Sequence, residues 1–128
     1  MRLLLDTHAL IWWLAGDSSL SSSAQQAITD PNNEISVSAA SAWEISTKHR
    51  LGKLPAAAAL AADIATILAA QGFVELPMTV CHAQLAGSLP GMQKDPFDRM
   101  LIAQATLDSL VLVSTETIFD DYGVRRLW

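Results

Sequence analysis

The sequence of 128 residues has little of several features that define particular protein classes. Its only cysteine is Cys81, which excludes a disulfide framework and favours a reducing, cytoplasmic setting. No apolar run approaches the roughly 20 residues of a membrane span, since Asp6 and His8 interrupt the apolar first segment. We therefore expect a soluble, cytoplasmic protein that does not associate with membranes.

Positive charge is also scarce. Lys and Arg number 8 against 13 Asp and Glu, which gives a net charge of −5. This net negative charge excludes a protein that binds nucleic acid through a broad basic surface. Any contact with nucleic acid must be local.

Short apolar segments alternate with helical patterns along the chain. Strands are predicted in the segments RLLLD, EISVS, FVELP, LVLVS and VRRLW. One long helix is predicted for the alanine-rich segment AAAALAADIATILAAQG. Continuous apolar strands between helices are typical of a parallel sheet that is covered on both faces. We predict an α/β fold, a three-layer sandwich with a mostly parallel sheet of four to five strands, in a single domain over residues 1–128.

Acidic residues recur where predicted strands end or where helices begin. They are Asp6, Glu44, Asp98 and Glu116. Because ligands bind beyond the carboxyl ends of parallel strands, we expect these side chains to converge at that edge. Clustered carboxylates repel one another unless they are protonated or bridged by a cation. A set of oxygen ligands alone selects Mg²⁺ or Mn²⁺ rather than zinc.

Each acid taken alone has a simpler interpretation as a helix cap. Asp6 precedes a helix. In KDPFDRMLIAQA, Asp95 is a good N-cap, Pro96 suits the first helical position, and Asp98 falls in the first turn, where negative charge favours the dipole. Only convergence of the acids distinguishes a cation site from separate caps.

A carboxylate-held divalent ion beside basic side chains suits the hydrolysis of phosphate esters. Phosphodiester cleavage is therefore the hypothesis. Thr7, with Thr115 or Ser114, would orient a water molecule or a carboxylate, and Lys94 or Arg99 would meet the phosphate chain.

Four segments of the chain resemble, in order, the motifs of PIN-domain proteins, and specifically VapC-type toxins of bacterial type II toxin–antitoxin systems. They are LLLDTHALIWWL, SAASAWEISTK, DPFDRMLIAQA and LVLVSTETIFDDYGV. The resemblance extends from Leu3 to Trp128. It implies an endoribonuclease dependent on Mg²⁺ or Mn²⁺, and a cognate antitoxin that covers the site.

Carried over by position, the resemblance assigns the catalytic and metal-binding roles to the same four acids. Thr7 lies beside the first of them, and Asp95 keeps its cap role with an outer contact to the site. The family commonly has an aspartate where this chain has Glu116, so Asp120, one helical turn later, is an alternative fourth acid. The candidate RNA contacts are Lys48, Arg50, Lys94 and Arg99.

Tryptophan positions suggest a surface for protein partners. Trp12 and Trp13 are adjacent in a helix and cannot both point the same way, so one of them is expected near the surface, against an antitoxin segment or the second subunit of a homodimer. Two other functions remain open. The first is a PIN-like binding module without activity, which Glu116 allows. The second is a receiver-type phosphoryl-accepting domain, although the predicted strands lack its paired acids and its lysine.

Overall fold

The computed structural model describes residues 1–128, except for the side chain at position 56. Five strands form the sheet: β1 (Arg2–Leu5), β2 (Glu34–Ser38), β3 (Val74–Leu76), β4 (Val111–Val113) and β5 (Arg126–Leu127). Seven α-helices are present in the described residues: α1 (Thr7–Ala15), α2 (Ser22–Thr29), α3 (Ala39–Arg50), α4 (Ala58–Ala62), α5 (Ile64–Gln71), α6 (Val80–Ser88) and α7 (Pro96–Leu107). Short 3₁₀ helices cover Pro55–Ala57 and Thr117–Tyr122.

All five strands are parallel, in the order β3-β2-β1-β4-β5. This confirms the predicted α/β fold and its parallel sheet. The central strand β1 pairs with β2 on one side and with β4 on the other, and Leu5 is in register with both Val37 and Val113. The carboxyl ends of the three central strands are therefore level. The chain order diverges at β1, which is where open α/β sheets place their ligands.

Alternate side chains of β1 supply the cores on the two faces of the sheet. Leu3 and Leu5 belong to one buried cluster, whereas Leu4 packs with Leu101 and Phe119 in a second cluster. All of these side chains are buried. Because successive residues of a strand point to opposite faces, a run of apolar residues serves both cores, as predicted for a sheet covered on both sides.

The alanine-rich segment does not form the single helix that was predicted. Asp63 separates α4 from α5, and its carboxylate accepts a hydrogen bond from the Thr66 backbone N–H at 3.2 Å. An aspartate competes with the helical backbone by capping a new helix, which here prevails over the helix propensity of the surrounding alanines. Among the described residues, no helix combines the length and the apolar character that crossing a membrane requires.

Candidate functional site

Acidic side chains from separate elements line one small cavity at the carboxyl edge of the sheet. The cavity has a volume of about 70 Å³. Its lining residues are Asp6, Thr7, His8, Glu44, Lys48, Asp95, Asp98 and Glu116. The structure thus brings together all four predicted acids. A larger cavity of about 540 Å³ lies between α3, α5 and β3, but it is mostly apolar, and Glu75 is the only charged residue among those that line it.

Asp6 has a structural and an electrostatic role at once. It follows β1 and caps α1, with one carboxylate oxygen accepting the Ala9 backbone N–H at 2.8 Å. Burial raises the pKa of Asp6, and hydrogen bonds from Ser114 and Ala9 offset part of this rise. Asp6 therefore caps α1 as predicted, and the same side chain also lines the cavity.

The two acids at the start of α7, Asp95 and Asp98, differ in their roles: one caps the helix and the other faces the cavity. The carboxylate of Asp95 caps the helix by accepting the backbone N–H groups of Phe97 at 2.8 Å and Asp98 at 3.2 Å. The Asp98 side chain accepts a hydrogen bond from the Gln93 amide at 3.2 Å. Burial and, after it, the negative charges of Asp95 and the other cavity acids together raise the pKa of Asp98 to about 7. Negative charge in this cavity is thus concentrated and poorly solvated.

Both carboxylate oxygens of Glu44 are engaged. The Thr7 hydroxyl donates to one oxygen and the Lys48 ammonium group donates to the other, each at 2.5 Å. Glu44 is only 5% exposed, so neither contact is replaced by bulk water. Burial acts to lower the pKa of Lys48, but the hydrogen bond and charge of Glu44 raise it on balance. Glu44 therefore lies in the cavity as the buried partner of a partly exposed lysine.

Glu116 lies in the cavity and Asp120 does not. Glu116 immediately precedes the second 3₁₀ helix, and its backbone N–H donates to the Ser114 hydroxyl at 3.0 Å. Ser114 is fully buried and also hydrogen-bonds to Asp6, so one hydroxyl connects the segments that carry two of the acids. Asp120 instead pairs with Arg126 at 2.9 Å, and this hydrogen bond lowers its pKa. Of the two candidates for the fourth acid, Glu116 therefore lines the cavity and Asp120 does not.

The predicted RNA contacts occupy three different environments. Lys48 lines the cavity, whereas Arg50 and Lys94 are exposed on the surface. Arg99 does not fit the predicted role: its guanidinium group donates to the backbone carbonyls of Ala86, Leu89 and Gln93 and thereby holds the loop between α6 and α7. Each of its three nitrogens donates to the fold, which a spacing pattern does not reveal. Thr115, expected beside the site, is exposed and is not among the residues that line the cavity.

The sequence predicted that one of the adjacent tryptophans lies near the surface. Trp12 and Trp13 are both half-buried, with Trp12 against Trp128 and Trp13 near Phe73. The exposed tryptophan is Trp43, at 58% exposure. Gln93, the hydrogen-bond partner of Asp98, was not predicted, and nothing in the loop sequence indicates it.

The oxygen donors suit a hard divalent cation, but they do not form a finished coordination shell. Among the described residues, no group of three or more His, Cys, Asp or Glu side chains is already arranged to hold an ion. The engaged oxygens of Glu44 and the contact between Gln93 and Asp98 account for part of this. The donor chemistry fits Mg²⁺ or Mn²⁺, and binding would require some of these side chains to reorient.

A sequence model of the PIN domain matches residues 3–124. The chain belongs to the PIN domain family. No curated protein matches the sequence significantly. Membership of the PIN family leaves the receiver-type interpretation without support.

Solved structures show the same fold at low sequence identity. VapBC2 of Rickettsia felis, bound to a DNA fragment from its promoter, aligns with a TM-score of 0.72 and 16% identity, covering 98% of this chain and 97% of that chain. VapBC-1 of nontypeable Haemophilus influenzae aligns with a TM-score of 0.70 and 14% identity, covering 98% of this chain and 96% of that chain. VapC20 of Mycobacterium tuberculosis, a toxin that cleaves the Sarcin–Ricin loop, aligns with a TM-score of 0.64 and 17% identity, covering 95% of each chain. This PIN domain therefore shares the architecture of VapC toxins along nearly its whole length.

Proposed function

We propose that this PIN domain is an endoribonuclease dependent on Mg²⁺ or Mn²⁺ and the toxin of a toxin–antitoxin pair. The observation that carries the proposal is the meeting of Asp6, Glu44, Asp98 and Glu116 at one cavity beyond the carboxyl ends of the central strands. Capping accounts only for Asp6 among the four: Asp98 follows the cap Asp95, and Glu116 makes no side-chain cap hydrogen bond. Burial, together with the negative charges of the neighbouring acids, raises the pKa of Asp98 to about 7, and a bound cation would favour its ionised form.

The residues of the cavity would share the work as follows. Asp6, Asp98 and Glu116 would hold the ion, with Glu44 adding to the negative charge around it. A bound divalent ion would supply Lewis acidity and would lower the pKa of a water nucleophile. Thr7 would stay fixed by its bond to Glu44, and Asp95 would keep α7 in place as its cap.

An RNA phosphodiester suits this acidic protein because contact with the substrate would be local. The cavity is small, and it lies at the sheet edge rather than inside a deep pocket that would enclose a small molecule. Arg50 and Lys94 are exposed and available to the phosphate chain of a single-stranded or looped RNA. VapC20, a structural neighbour, cleaves such a loop, which makes RNA the first substrate to test.

Protein partners are proposed on two observations. Structural neighbours include a toxin–antitoxin complex from Klebsiella pneumoniae, at a TM-score of 0.62 and 20% identity, covering 90% of this chain and 87% of that chain. A mostly apolar groove of about 450 Å³ also lies between α1 and the α4–α5 segment, lined by Trp12, Leu60 and Ile67 among others. We assign this groove to a cognate antitoxin and expect a homodimer as the free form. Loss of either complex in the Trp12→Ala variant supports a role of this tryptophan in assembly, and wild-type assembly of the variant refutes it.

A binding module without activity is the second candidate, because Glu116 stands where an aspartate is usual in the resembling toxins. Assays of Mn²⁺ binding and RNA cleavage on purified protein, freed of any partner, distinguish an active nuclease from an inactive binding module. An active nuclease is stabilised by Mn²⁺, since an ion bound only to the native state raises its stability, and it cuts RNA in a manner that a chelator abolishes. Folded protein that binds Mn²⁺ but leaves every RNA intact favours the inactive module, and recovery of cleavage in the Glu116→Asp variant would identify the cause.

A further inference from the structure

Lys48 is the one lysine or arginine among the described residues that line the acidic cavity. It lies one helical turn after Glu44 in α3, in the order that favours an ion pair within a helix. The Glu44 side chain is 6% exposed and the Lys48 side chain is 32% exposed, so the carboxylate is buried whereas the lysine is partly in contact with water. Loss of the contact would leave the buried carboxylate of Glu44 without its charged partner, which favours keeping the pair together.

The pair determines what Glu44 can do. One carboxylate oxygen accepts from the Lys48 ammonium group and the other accepts from the Thr7 hydroxyl, so direct ligation of an ion by Glu44 would require one of these contacts to break. Asp98 and Asp95 also lie close enough for their charges to act on Lys48. The lysine thus has an electrostatic connection to the whole cavity and not only to its helix neighbour.

We propose that Lys48 is a resident counter-ion that occupies the Glu44 end of the cavity and confines a divalent ion to the Asp6, Asp98 and Glu116 end. This inference rests on the proposed function and specifies how its site is divided. Glu44 is then a positioning residue that fixes Thr7 and Lys48. The positive charge of Lys48 opposes a second cation nearby, which keeps the affinity for the divalent ion modest.

The test is the affinity for Mn²⁺, measured by isothermal titration calorimetry on the purified full chain in the absence of RNA. Lys48→Gln keeps a hydrogen-bond donor but removes the charge, Lys48→Met removes both, and Lys48→Arg keeps the charge. Lys53→Met is the matched control, because Lys53 is exposed and does not line the cavity, yet its loss changes the net charge equally. Thermal unfolding in chelator shows that each variant is folded.

Both uncharged variants should bind Mn²⁺ about tenfold more tightly or better, because a positive charge that lines the same cavity has been removed. Lys48→Arg and Lys53→Met should stay close to the wild-type affinity. Wild-type or weaker affinity in Lys48→Gln and Lys48→Met overturns the proposal, as does an equal gain in Lys53→Met. Wild-type protein that binds no Mn²⁺ overturns the proposed function as well, so the two failures are distinguishable.

Discussion

The carboxylate of Asp95 accepts a hydrogen bond from the backbone N–H of Asp98 at 3.2 Å. The residue that caps α7 therefore also fixes the backbone of the residue that faces the acidic cavity. Asp95 raises the pKa of Asp98 through its charge, second only to the effect of burial. In this single helical turn, Asp95 therefore caps the helix while Asp98 contributes to the cavity, and the two roles coexist.

The stability of the metal-free protein should fall as the pH rises from about 4 to about 7. Asp98 has an ordinary pKa of 3.8 and a pKa of about 7 in the fold, so the native state holds this proton more tightly than the unfolded chain does. Its contribution to stability is fully present below pH 3.8 and is lost as the pH passes 7. Burial raises the pKa of Asp6 as well, which adds to the same trend.

Thermal unfolding in chelator across this pH range measures the effect. The Asp98→Asn variant should have a flatter profile and a higher Tm than the wild type at pH 8, since it cannot ionise. Mn²⁺ should bind the wild type more tightly as the pH rises through 7, because the ion competes with the proton. Identical pH profiles for the variant and the wild type would contradict the assignment.

Glu116 and Asp120 should respond oppositely to substitution. Glu116 lines the cavity, whereas Asp120 is paired with Arg126. Glu116→Gln should remove most of the Mn²⁺-dependent rise in Tm, and Asp120→Asn should leave that rise unchanged. A differential scanning fluorimetry titration of both variants decides the matter. Loss of the Mn²⁺ response in Asp120→Asn alone would restore Asp120 as the fourth acid.

Arg99 should contribute to stability rather than to RNA binding. Its guanidinium group donates to three backbone carbonyls in and near the loop between α6 and α7. Replacement by Met should lower the free energy of unfolding by about 2 kcal/mol or more, because those carbonyls lose charged donors. Urea denaturation measures this, with the exposed Arg50→Gln as the comparison. Unchanged stability together with weaker RNA binding would show that Arg99 is an RNA contact after all.

Asp63→Ala should destabilise the chain by about 1 kcal/mol, the usual cost of losing an N-cap. The carboxylate of Asp63 accepts the Thr66 N–H at the start of α5, and an alanine there has no acceptor. Asp63→Asn keeps an acceptor and serves as the control. Chemical denaturation compares the two. Equal stability of the alanine variant and the wild type would mean that the break between α4 and α5 does not depend on this cap.

Elements bounded by strong local signals could be predicted from the sequence. Helix α1 begins directly after Asp6, the predicted cap, and it ends at Ala15 because Gly16 adopts the left-handed conformation. The convergence of the acids followed from a topological rule, since the ends of β1, β2 and β4 lie level. Short-range chemistry and sheet topology together located the site.

Features that depend on long-range packing could not be predicted. The carbonyls that hold Arg99 come from the end of α6 and from the loop after it, whose path is set only when α6 and α7 pack. Asp120 meets Arg126 only when β5 joins the sheet. The pairing of Glu44 with Lys48 is an intermediate case. Their spacing of one helical turn is a visible signal for an ion pair, but its burial within the cavity is not.

Cleavage of a structured RNA pool tests the central claim most directly. Purified protein, freed of any partner, is incubated with Mg²⁺ or Mn²⁺ and separately with chelator, beside the Asp98→Asn variant and the matched Asp120→Asn variant. We predict that the wild type and Asp120→Asn cut RNA only with the ion, and that Asp98→Asn, although folded, cuts at least 100-fold more slowly, on the order of the loss of one principal catalytic group. Cutting that persists in chelator or in Asp98→Asn, or no cutting by folded, Mn²⁺-bound wild type, would contradict the assignment of this cavity as a ribonuclease site.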